Sequence, residues 1–211
     1  MIADQHRVAS HADLVELLGE PGDLVRAKIV DRLDQHCRDF IVRSPFALLG
    51  TVGANGRLDV SPRGGNAVFA EISDDGGTLI FGDAKGNRLA DSLRNIVETG
   101  QAGMLFLLPG FGETLRVNGR AHLTRDPAVL ERHLGTGSKP PKLAVVIEVQ
   151  EAFLHCAAAM LRSSLWKPET WPSLDGLPSP ARIWKDHSAA PVPVEQFEAE
   201  LIDGYANDRD W

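Results

Sequence analysis

The spacing of hydrophobic residues divides the chain into a helical beginning, a β-rich middle and a mixed end. Apolar residues recur at three- and four-residue intervals in 11–18 and 24–42, with charged residues between them, which predicts two helices. Residues 19–22 separate these helices, and Pro45 marks the end of the second. We expect residues 1–44 to form a helical cap on a sheet.

From Phe46 the hydrophobic residues form short runs between turn residues, a pattern typical of β-strands. Hairpin-length turns such as 54–56 and 74–77 join most of the runs, and a glycine-rich corner is predicted at 62–66. Short connections of this kind favour an antiparallel barrel over a parallel α/β sheet. The predicted strands are 46–52, 57–61, 67–72, 78–82, 102–108, 114–123 and 143–149, with 153–157 continuing or pairing with the last.

One helix is inserted among the strands, after a loop that contains Lys85 and Asn87. Asn87 is the predicted N-cap, because its side-chain oxygen can accept a free N–H at the start of the helix. Arg88 would then lie in the first turn, where a cation faces the positive end of the helix dipole. Two explanations stay open: an anion is bound there by Lys85, Arg88 and the free N–H groups, or Arg88 pairs with Asp91.

Composition narrows the classes of function. The chain has 211 residues, 43% hydrophobic and 24% charged, which is ordinary for a globular protein. A net charge of −7 argues against a nucleic-acid-binding protein and suits a cytoplasmic protein. We expect no signal peptide and no membrane-spanning segment. The two cysteines match no disulfide framework and no metal site.

Three further stretches carry polar residues that could contact a ligand. Residues 61–65 place a basic residue before two glycines, although a strand corner would look the same. Thr114, Arg116 and Asn118 share one face of a strand, as in an ordinary antiparallel sheet. His155 and Cys156 are neighbours, but sequence neighbours on a strand point to opposite faces, so nucleophilic catalysis is not favoured. No hydrolase elbow motif is present.

The last segment, 167–211, differs in amino-acid composition from the rest of the chain. Six prolines interrupt 168–193, which also contains Trp171 and Trp184. An acidic amphipathic helix is predicted over 194–205. We expect this Pro/Trp-rich tail to wrap the barrel or a second subunit.

Four runs, taken in order, resemble the FMN-binding split-barrel proteins related to pyridoxamine 5′-phosphate oxidase. The runs are DVSPRGG, LIFGDAKGNRLADSLRNI, GMLFLLPGFGETLRVNGRA and FLHCAAAMLRSSLW, within residues 46–166. The resemblance implies a mainly β domain with helices over 1–166, built on a six-stranded antiparallel split β-barrel. It also implies a homodimer with FMN at the subunit interface, and an FMN-dependent oxidoreductase whose substrate is unknown and whose electron donor could be NAD(P)H.

The resemblance also implies which residues bind the cofactor. Arg88, with Asn87, corresponds to the position that holds the flavin phosphate. Lys85 is included in the predicted site as the second cation of the anion-binding loop described above. Residues at the ends of two strands correspond to positions along the ring and ribityl chain: Phe81, Gly82 and Asp83, and Ser61, Pro62 and Arg63. Thr114 and Arg116 match a strand from the partner subunit, and Arg162, Ser163 and Trp166 match a late segment. The resemblance assigns no catalytic residue.

Two departures from the family pattern limit what the resemblance implies. Residues 181–187 only faintly match the signature that grips the vitamin B6 substrate, so we do not expect that activity. Ala158 stands where a lysine is expected in the subgroup. Two alternatives therefore remain: a non-catalytic binder of flavin, haem or deazaflavin, with His155 as the candidate axial ligand of haem, and a dimeric scaffold whose site has been lost.

Overall fold

Seven antiparallel strands form one sheet in the computed structural model, which describes residues 6–65, 69–83, 88–132, 140–189 and 191–208. The strand order is β2-β1-β5-β6-β7-β4-β3. The mainly β, antiparallel fold is confirmed, but the count of six strands is wrong, because the short β3 pairs with β4 as an additional edge strand. The strands are β1 (Phe46–Val52), β2 (Leu58–Gly64), β3 (Ala70–Ile72), β4 (Thr78–Gly82), β5 (Gln101–Leu107), β6 (Thr114–Thr124) and β7 (Ala144–His155).

The sheet curls back on itself. Phe69, just before β3, stacks on Phe106 of β5 with 5.9 Å between ring centroids. These strands are four positions apart in the sheet, so a flat sheet would separate them by about 19 Å. The close contact therefore requires a curved sheet, in agreement with the predicted barrel. The two edge strands, β2 and β3, are not paired with each other in the described residues.

Alternating apolar side chains fill the inside of the curved sheet. The largest fully buried residues on these strands are Leu49, Leu79, Phe81, Met104, Phe106, Leu115, Val117, Val145 and Ile147. Helix α4 (Asp91–Thr99) covers part of this interior with the buried side chains of Ser92 and Ile96. The spacing of Ser92 and Ile96, four residues apart, places both on the same face of the helix.

The N-terminal region contains three helices, and the prediction of one helix over 24–42 is wrong. These helices are α1 (His11–Leu18), α2 (Asp23–Ala27) and α3 (Gln35–Ile41). Between α2 and α3, the backbone of Val30 pairs with Ala152 of β7 through two hydrogen bonds of 3.0 and 2.7 Å. Asp34 then starts α3 by accepting from the Cys37 N–H at 2.9 Å. The chain leaves the helical path because it joins the sheet.

Helix α4 begins later than the sequence predicts. Arg88 and Ala90 both have left-handed backbone conformations, with φ of 66° and 54°, which an α-helix cannot contain. The helix therefore starts at Asp91 with Ala90 as its N-cap. The predictions of an N-cap at Asn87 and of Arg88 in the first helical turn are both wrong.

After β6 the chain is mostly helical, apart from β7. Asp126 caps the short α5 (Pro127–Leu130) by accepting from the Ala128 N–H at 2.9 Å. Residues 153–155 continue β7, whereas Pro62–Gly64 belong to β2 instead of to a corner. The remaining helices are α6 (Ala158–Ser163), α7 (Pro180–Ser188) and α8 (Val194–Asp208).

The C-terminal helices α7 and α8 pack against each other. The rings of Trp184 and Phe197 meet edge to face, with centroids 6.3 Å apart. Ala181 is buried, whereas Trp171 is 58% exposed. Wrapping of the barrel or of a second subunit by 167–211 stays a prediction.

Candidate functional site

The edge strand β2 has an inverted polarity. Asp59, Ser61 and Arg63 face inward, since they pair with the buried Thr51, Leu49 and Ala47 of β1. The alternate residues Leu58 and Val60 face outward and are 81% and 67% exposed. A strand at the edge of a domain usually buries its apolar side instead, so the inward polar residues of β2 need a separate explanation.

The inward residues Asp59, Ser61 and Arg63 form a hydrogen-bonded group with Ser92 of α4. Together with Asp83, whose charge acts on Arg63, we call this group the β2–α4 cluster. The Ser92 hydroxyl donates to Asp59 Oδ2 at 2.5 Å. It also lies 2.7 Å from Ser61 Oγ and accepts from Arg63 Nη2 at 3.2 Å. A hydroxyl has a single proton, so Ser61 is the donor to Ser92. Ser92, 4% exposed, thus has all its hydrogen bonds within the cluster.

Arg63 is the charged centre of the β2–α4 cluster. Burial lowers its pKa, and the nearby carboxylates of Asp83 and Asp59 oppose that change. Burial likewise raises the pKa of Asp83, against the charge of Arg63. Arg63 Nη1 donates to the Pro62 carbonyl at 2.9 Å, whereas the buried Nε has no hydrogen-bond partner among the described residues. A buried N–H without a partner costs about 1–3 kcal/mol, so this donor suits an acceptor atom on a bound molecule.

A second group lies on the outward side of β6 and β7, and we call it the β6–β7 face: Lys28, Thr114, Arg116, Phe153 and His155. Two cations approach the Phe153 ring, with Arg116 Cζ 5.4 Å and Lys28 Nζ 5.5 Å from its centroid. The His155 ring lies 5.0 Å from the Phe153 ring. Burial, Arg116 and Lys28 all lower the pKa of His155, whose buried Nε2 has no hydrogen-bond partner within the described residues. These effects all favour the neutral form of His155.

The arrangement of strands agrees with a match to a known family. A family model described as pyridoxamine 5′-phosphate oxidase matches residues 33–156, more than half of the chain. The chain belongs to the pyridoxamine 5′-phosphate oxidase family. The match extends from Leu33, two residues before α3, to Cys156, the residue after β7, and it includes every member of the two polar groups except Lys28.

Several solved structures are similar to this chain. HupZ from Group A Streptococcus is 22% identical, with a TM-score of 0.47, over 57% of this chain and 92% of that chain. The heme storage protein HutZ from Vibrio cholerae is 16% identical, with a TM-score of 0.40, over 59% and 94%. A Clostridium acetobutylicum protein related to general stress protein 26 is 15% identical, with a TM-score of 0.42, over 57% and 86%. No curated protein matches the chain.

The site residues implied by the family resemblance fall into two separate groups within one protomer. Ser61, Arg63 and Asp83 lie together in the β2–α4 cluster. Thr114 and Arg116 lie on the β6–β7 face, where Thr114 is 7% exposed and Arg116 is half-buried. Three strands' width separates β2 from β6 in the sheet. A single small molecule bound to one protomer would therefore not contact both groups through the sheet.

The end of β4 offers mainly backbone and Asp83. The Phe81 side chain is 1% exposed and belongs to the core, and Gly82 pairs with Ala144. Asp83 continues the ladder by donating its N–H to the Leu143 carbonyl at 3.0 Å. Pro62 lies on the exposed side of β2. Of this strand end, the Asp83 carboxyl is thus the side chain placed to affect a ligand.

The predicted phosphate position is described only in part. Lys85 and Asn87 lie outside the described residues. Arg88 is exposed and, within the described ranges, forms no ion pair with Asp91, so the pairing explanation is wrong. No described side chain caps the first amides of α4, which leaves them free to bind an anion.

The late segment folds back onto the turn between β5 and β6. Trp166 Nε1 donates to the Phe111 carbonyl at 2.8 Å. Arg162 is exposed in α6, and the Ser163 hydroxyl donates to the Met160 carbonyl at 3.2 Å. The hydrogen bond of Trp166 attaches this segment to the β5–β6 turn. None of the described hydrogen bonds joins the segment to Arg63 or Ser92.

Four residues of the two groups were missed by sequence reasoning. Asp59 shares a strand face with Ser61 and Arg63, so period-two spacing could have found it. Ser92, Lys28 and Phe153 have no local signal, because their partners are distant in sequence.

The described residues contain no group of three or more His, Cys, Asp or Glu that could bind a metal. In the described part of the chain, no helix has the length and apolar content needed to cross a bilayer.

Proposed function

We propose that this protein is an FMN-binding flavoprotein that works as a homodimeric oxidoreductase on a substrate other than the vitamin B6 phosphates. Its membership of the pyridoxamine 5′-phosphate oxidase family supports the proposal. The observation that carries it is Arg63, a half-buried cation whose Nε has no partner in the part of the chain that the structure describes. This donor fits an acceptor atom of the flavin ring.

In this proposal, the β2–α4 cluster contacts the ring of FMN. FMN would supply the hydride chemistry, while the protein orients the ring and sets its electrostatics. Arg63 would donate from Nε to the N1 and C2-carbonyl edge, where negative charge develops on reduction. The carboxyl group of Asp83, near Arg63, would moderate that positive charge.

The phosphate would lie at the start of α4. Free amides at the N-terminus of a helix and the helix dipole favour an anion there. Arg88, exposed three residues before Asp91, would add a charge-assisted contact. Lys85 and Asn87 belong to the same proposal.

The outward face of β2 would pack against a second copy of the chain. Leu58 and Val60 are exposed on a strand edge, and contiguous exposed apolar residues mark interaction surfaces. The same face continues across the sheet through Gly50 and Gly103 to Asn118. The two glycines have no side chains that would protrude from this face. A partner lying on this face would meet the β6–β7 face. In this proposal Thr114 and Arg116 of one protomer would approach the FMN of the other around the edge of β2, because the sheet itself separates the outward face from the β2–α4 cluster.

The visible absorption spectrum tests FMN binding directly. Purified protein, reconstituted with FMN and freed of excess cofactor, should show the bands of a bound flavin at about one FMN per chain. Anaerobic addition of NADH or NADPH should bleach them if either is the electron donor. Protein that retains no FMN after reconstitution would refute the proposal.

Haem binding is a second candidate, supported by His155. A neutral imidazole with an available Nε2 is the state that binds iron, and burial together with Arg116 and Lys28 keeps His155 neutral. Haem titration would then give a Soret band that is lost in His155→Ala and kept in His122→Ala. A Soret band equal in both variants would refute this candidate.

A further inference from the structure

Ser92 occupies a position where a small apolar residue would be expected. It lies in the first turn of α4, four residues before the buried Ile96, and is itself 4% exposed. Alanine would fill such a core-facing position with better helix propensity. The hydroxyl is therefore present for its partners, all of which belong to the β2–α4 cluster.

The direction of each hydrogen bond to Ser92 follows from the charges. The Asp59 carboxylate can only accept, so it takes the one hydroxyl proton at 2.5 Å. The Ser92 oxygen must then accept from both Ser61 and Arg63. Asp59 thus fixes the orientation of Ser92, and Ser92 presents its lone pairs to Nη2 of the guanidinium.

This geometry separates Arg63 from the nearby carboxylates. Neither Asp59 nor Asp83 forms an ion pair with Arg63 among the described residues, although both affect its pKa. A direct bidentate carboxylate contact would occupy two N–H groups of the guanidinium. With Ser92 between Asp59 and Arg63, the positive charge is balanced while Nε stays free.

We propose that Ser92 is the positioning residue of the flavin site, holding the Arg63 guanidinium so that its Nε donates to the flavin ring. The inference rests on the proposed function. It goes beyond it by assigning a residue of α4, the helix whose N-terminus would hold the phosphate, to the ring end of the site. Ser92 would tie these two ends together.

The test compares Ser92→Ala, Ser92→Cys and Ser92→Thr with a matched control, Thr99→Val. Thr99 lies on the same helix and its hydroxyl donates to the Val52 carbonyl of β1 at 3.0 Å, away from Arg63. The dissociation constants of FMN and of riboflavin would be measured by flavin fluorescence, and the midpoint potential by anaerobic dye titration. Far-UV circular dichroism would check that each variant is folded.

Ser92→Ala and Ser92→Cys should weaken both FMN and riboflavin about tenfold, because a misplaced donor loses most of one charge-assisted hydrogen bond. The midpoint potential should fall, since the anionic reduced flavin loses stabilisation. Ser92→Thr, which keeps the hydroxyl, and Thr99→Val should behave as wild type. In an Arg63→Ala background, Ser92→Ala should have no further effect on affinity.

Each outcome separates the two proposals. If wild type binds FMN and Ser92→Ala changes neither affinity nor potential, or adds its full effect to Arg63→Ala, the role of Ser92 is refuted while the flavin proposal stands. If wild type binds no FMN, both fall. Should Ser92→Ala fail to fold, the comparison of Ser92→Cys with Ser92→Thr decides, because a thiol is a poor acceptor for Arg63.

Discussion

Arg63 and Asp83 oppose each other's pKa change. Burial raises the pKa of the Asp83 carboxyl, and the positive charge of Arg63 limits that rise. Burial lowers the pKa of Arg63, and the charge of Asp83 limits that fall. Each charge therefore helps the other stay ionised in a partly desolvated site.

Removing the charge of Arg63 should raise the pKa of Asp83 further. We expect Arg63→Gln to move the Asp83 titration upward, because the charge that lowers the pKa of this carboxyl among the described residues is lost. The measurement is a carbon-detected NMR titration of the Asp83 carboxyl. Arg116→Gln, a matched loss of charge on the other face, should leave that titration unchanged; an equal shift in both variants would contradict the assignment.

The same pKa change gives the pH dependence of stability a sign. The folded-state pKa of Asp83 lies above its unfolded value of 3.8, so its contribution to stability is fully present below 3.8 and is lost as pH rises through the folded pKa. Asp83→Asn should therefore raise the free energy of unfolding at pH 7 relative to pH 3, compared with wild type. Urea titrations of both proteins at both pH values measure this difference.

His155 should behave in the opposite sense. Its folded-state pKa is lowered from 6.5, so it stabilises the fold above 6.5, and this contribution is lost as pH falls through the folded pKa. Arg116→Gln should raise the pKa of His155, because a neighbouring positive charge is removed. Proton NMR of the ring measures the pKa, and Arg120→Gln serves as the control on the same strand.

The exposed residues of β2 should control association. Val60→Lys should convert the proposed dimer into a monomer without unfolding it, because Val60 is 67% exposed in the protomer and a buried unpaired charge is costly. Leu17→Lys, at a residue of the same 67% exposure on α1, is the matched control. Light scattering reports the mass, and a dimer that survives Val60→Lys would exclude this face.

The phosphate end of the site makes a separate prediction. Arg88→Ala should weaken FMN by about 1.5–3 kcal/mol, the value of a charge-assisted hydrogen bond, and leave riboflavin affinity unchanged. Arg94→Ala, an exposed arginine on α4, should alter neither affinity. Equal losses for FMN and riboflavin would place Arg88 away from the phosphate.

Gly56 and Gly76 have similar positive φ angles but different surroundings. Their alanine variants should therefore distinguish the cost of backbone strain from the cost of a steric clash. Gly76 has φ of 73°, and a Cβ there would lie 2.5 Å from the Leu33 carbonyl oxygen. Gly56 has φ of 78° with open space around it. Gly56→Ala should cost about 1–2 kcal/mol of unfolding free energy, and Gly76→Ala clearly more. Urea denaturation of both variants measures the difference.

Sequence patterns predicted the sheet because hydrophobic alternation and turn residues are local. The strands around Ala47, Met104 and Val117 follow that alternation into the core. Helix 24–42 was wrong because Val30 pairs with Ala152, a contact between residues far apart in the chain that no local pattern contains. The predicted start of α4 was wrong because Arg88 and Ala90 have left-handed backbone conformations. Neither residue is a glycine, so the sequence gives no signal of such a conformation.

The site was predicted only where its residues share one strand. Ser61 and Arg63 were identified together by the family resemblance, and the structure places both on the inward face of β2, as residues two apart on a strand lie. Ser92 was missed because a serine in a helix usually has no distant partner, and its bonds to β2 exist only in the folded chain. Lys28 and Arg116, the cations near Phe153, were likewise not grouped, because they are distant from each other in sequence.

The turn between β1 and β2 guards the register of the edge strand. It is closed by hydrogen bonds of 2.9 Å from Gly53 to the Arg57 carbonyl and from Gly56 to the Gly53 carbonyl. A slip of one residue would point Leu58 and Val60 at α4 and expel Arg63. Burial of Leu58 and Val60 would by itself stabilise the slipped register. The length of the turn therefore keeps the polar residues of β2 facing inward. One residue inserted in this loop would therefore exchange the inward and outward faces of β2 and remove Arg63 from the β2–α4 cluster.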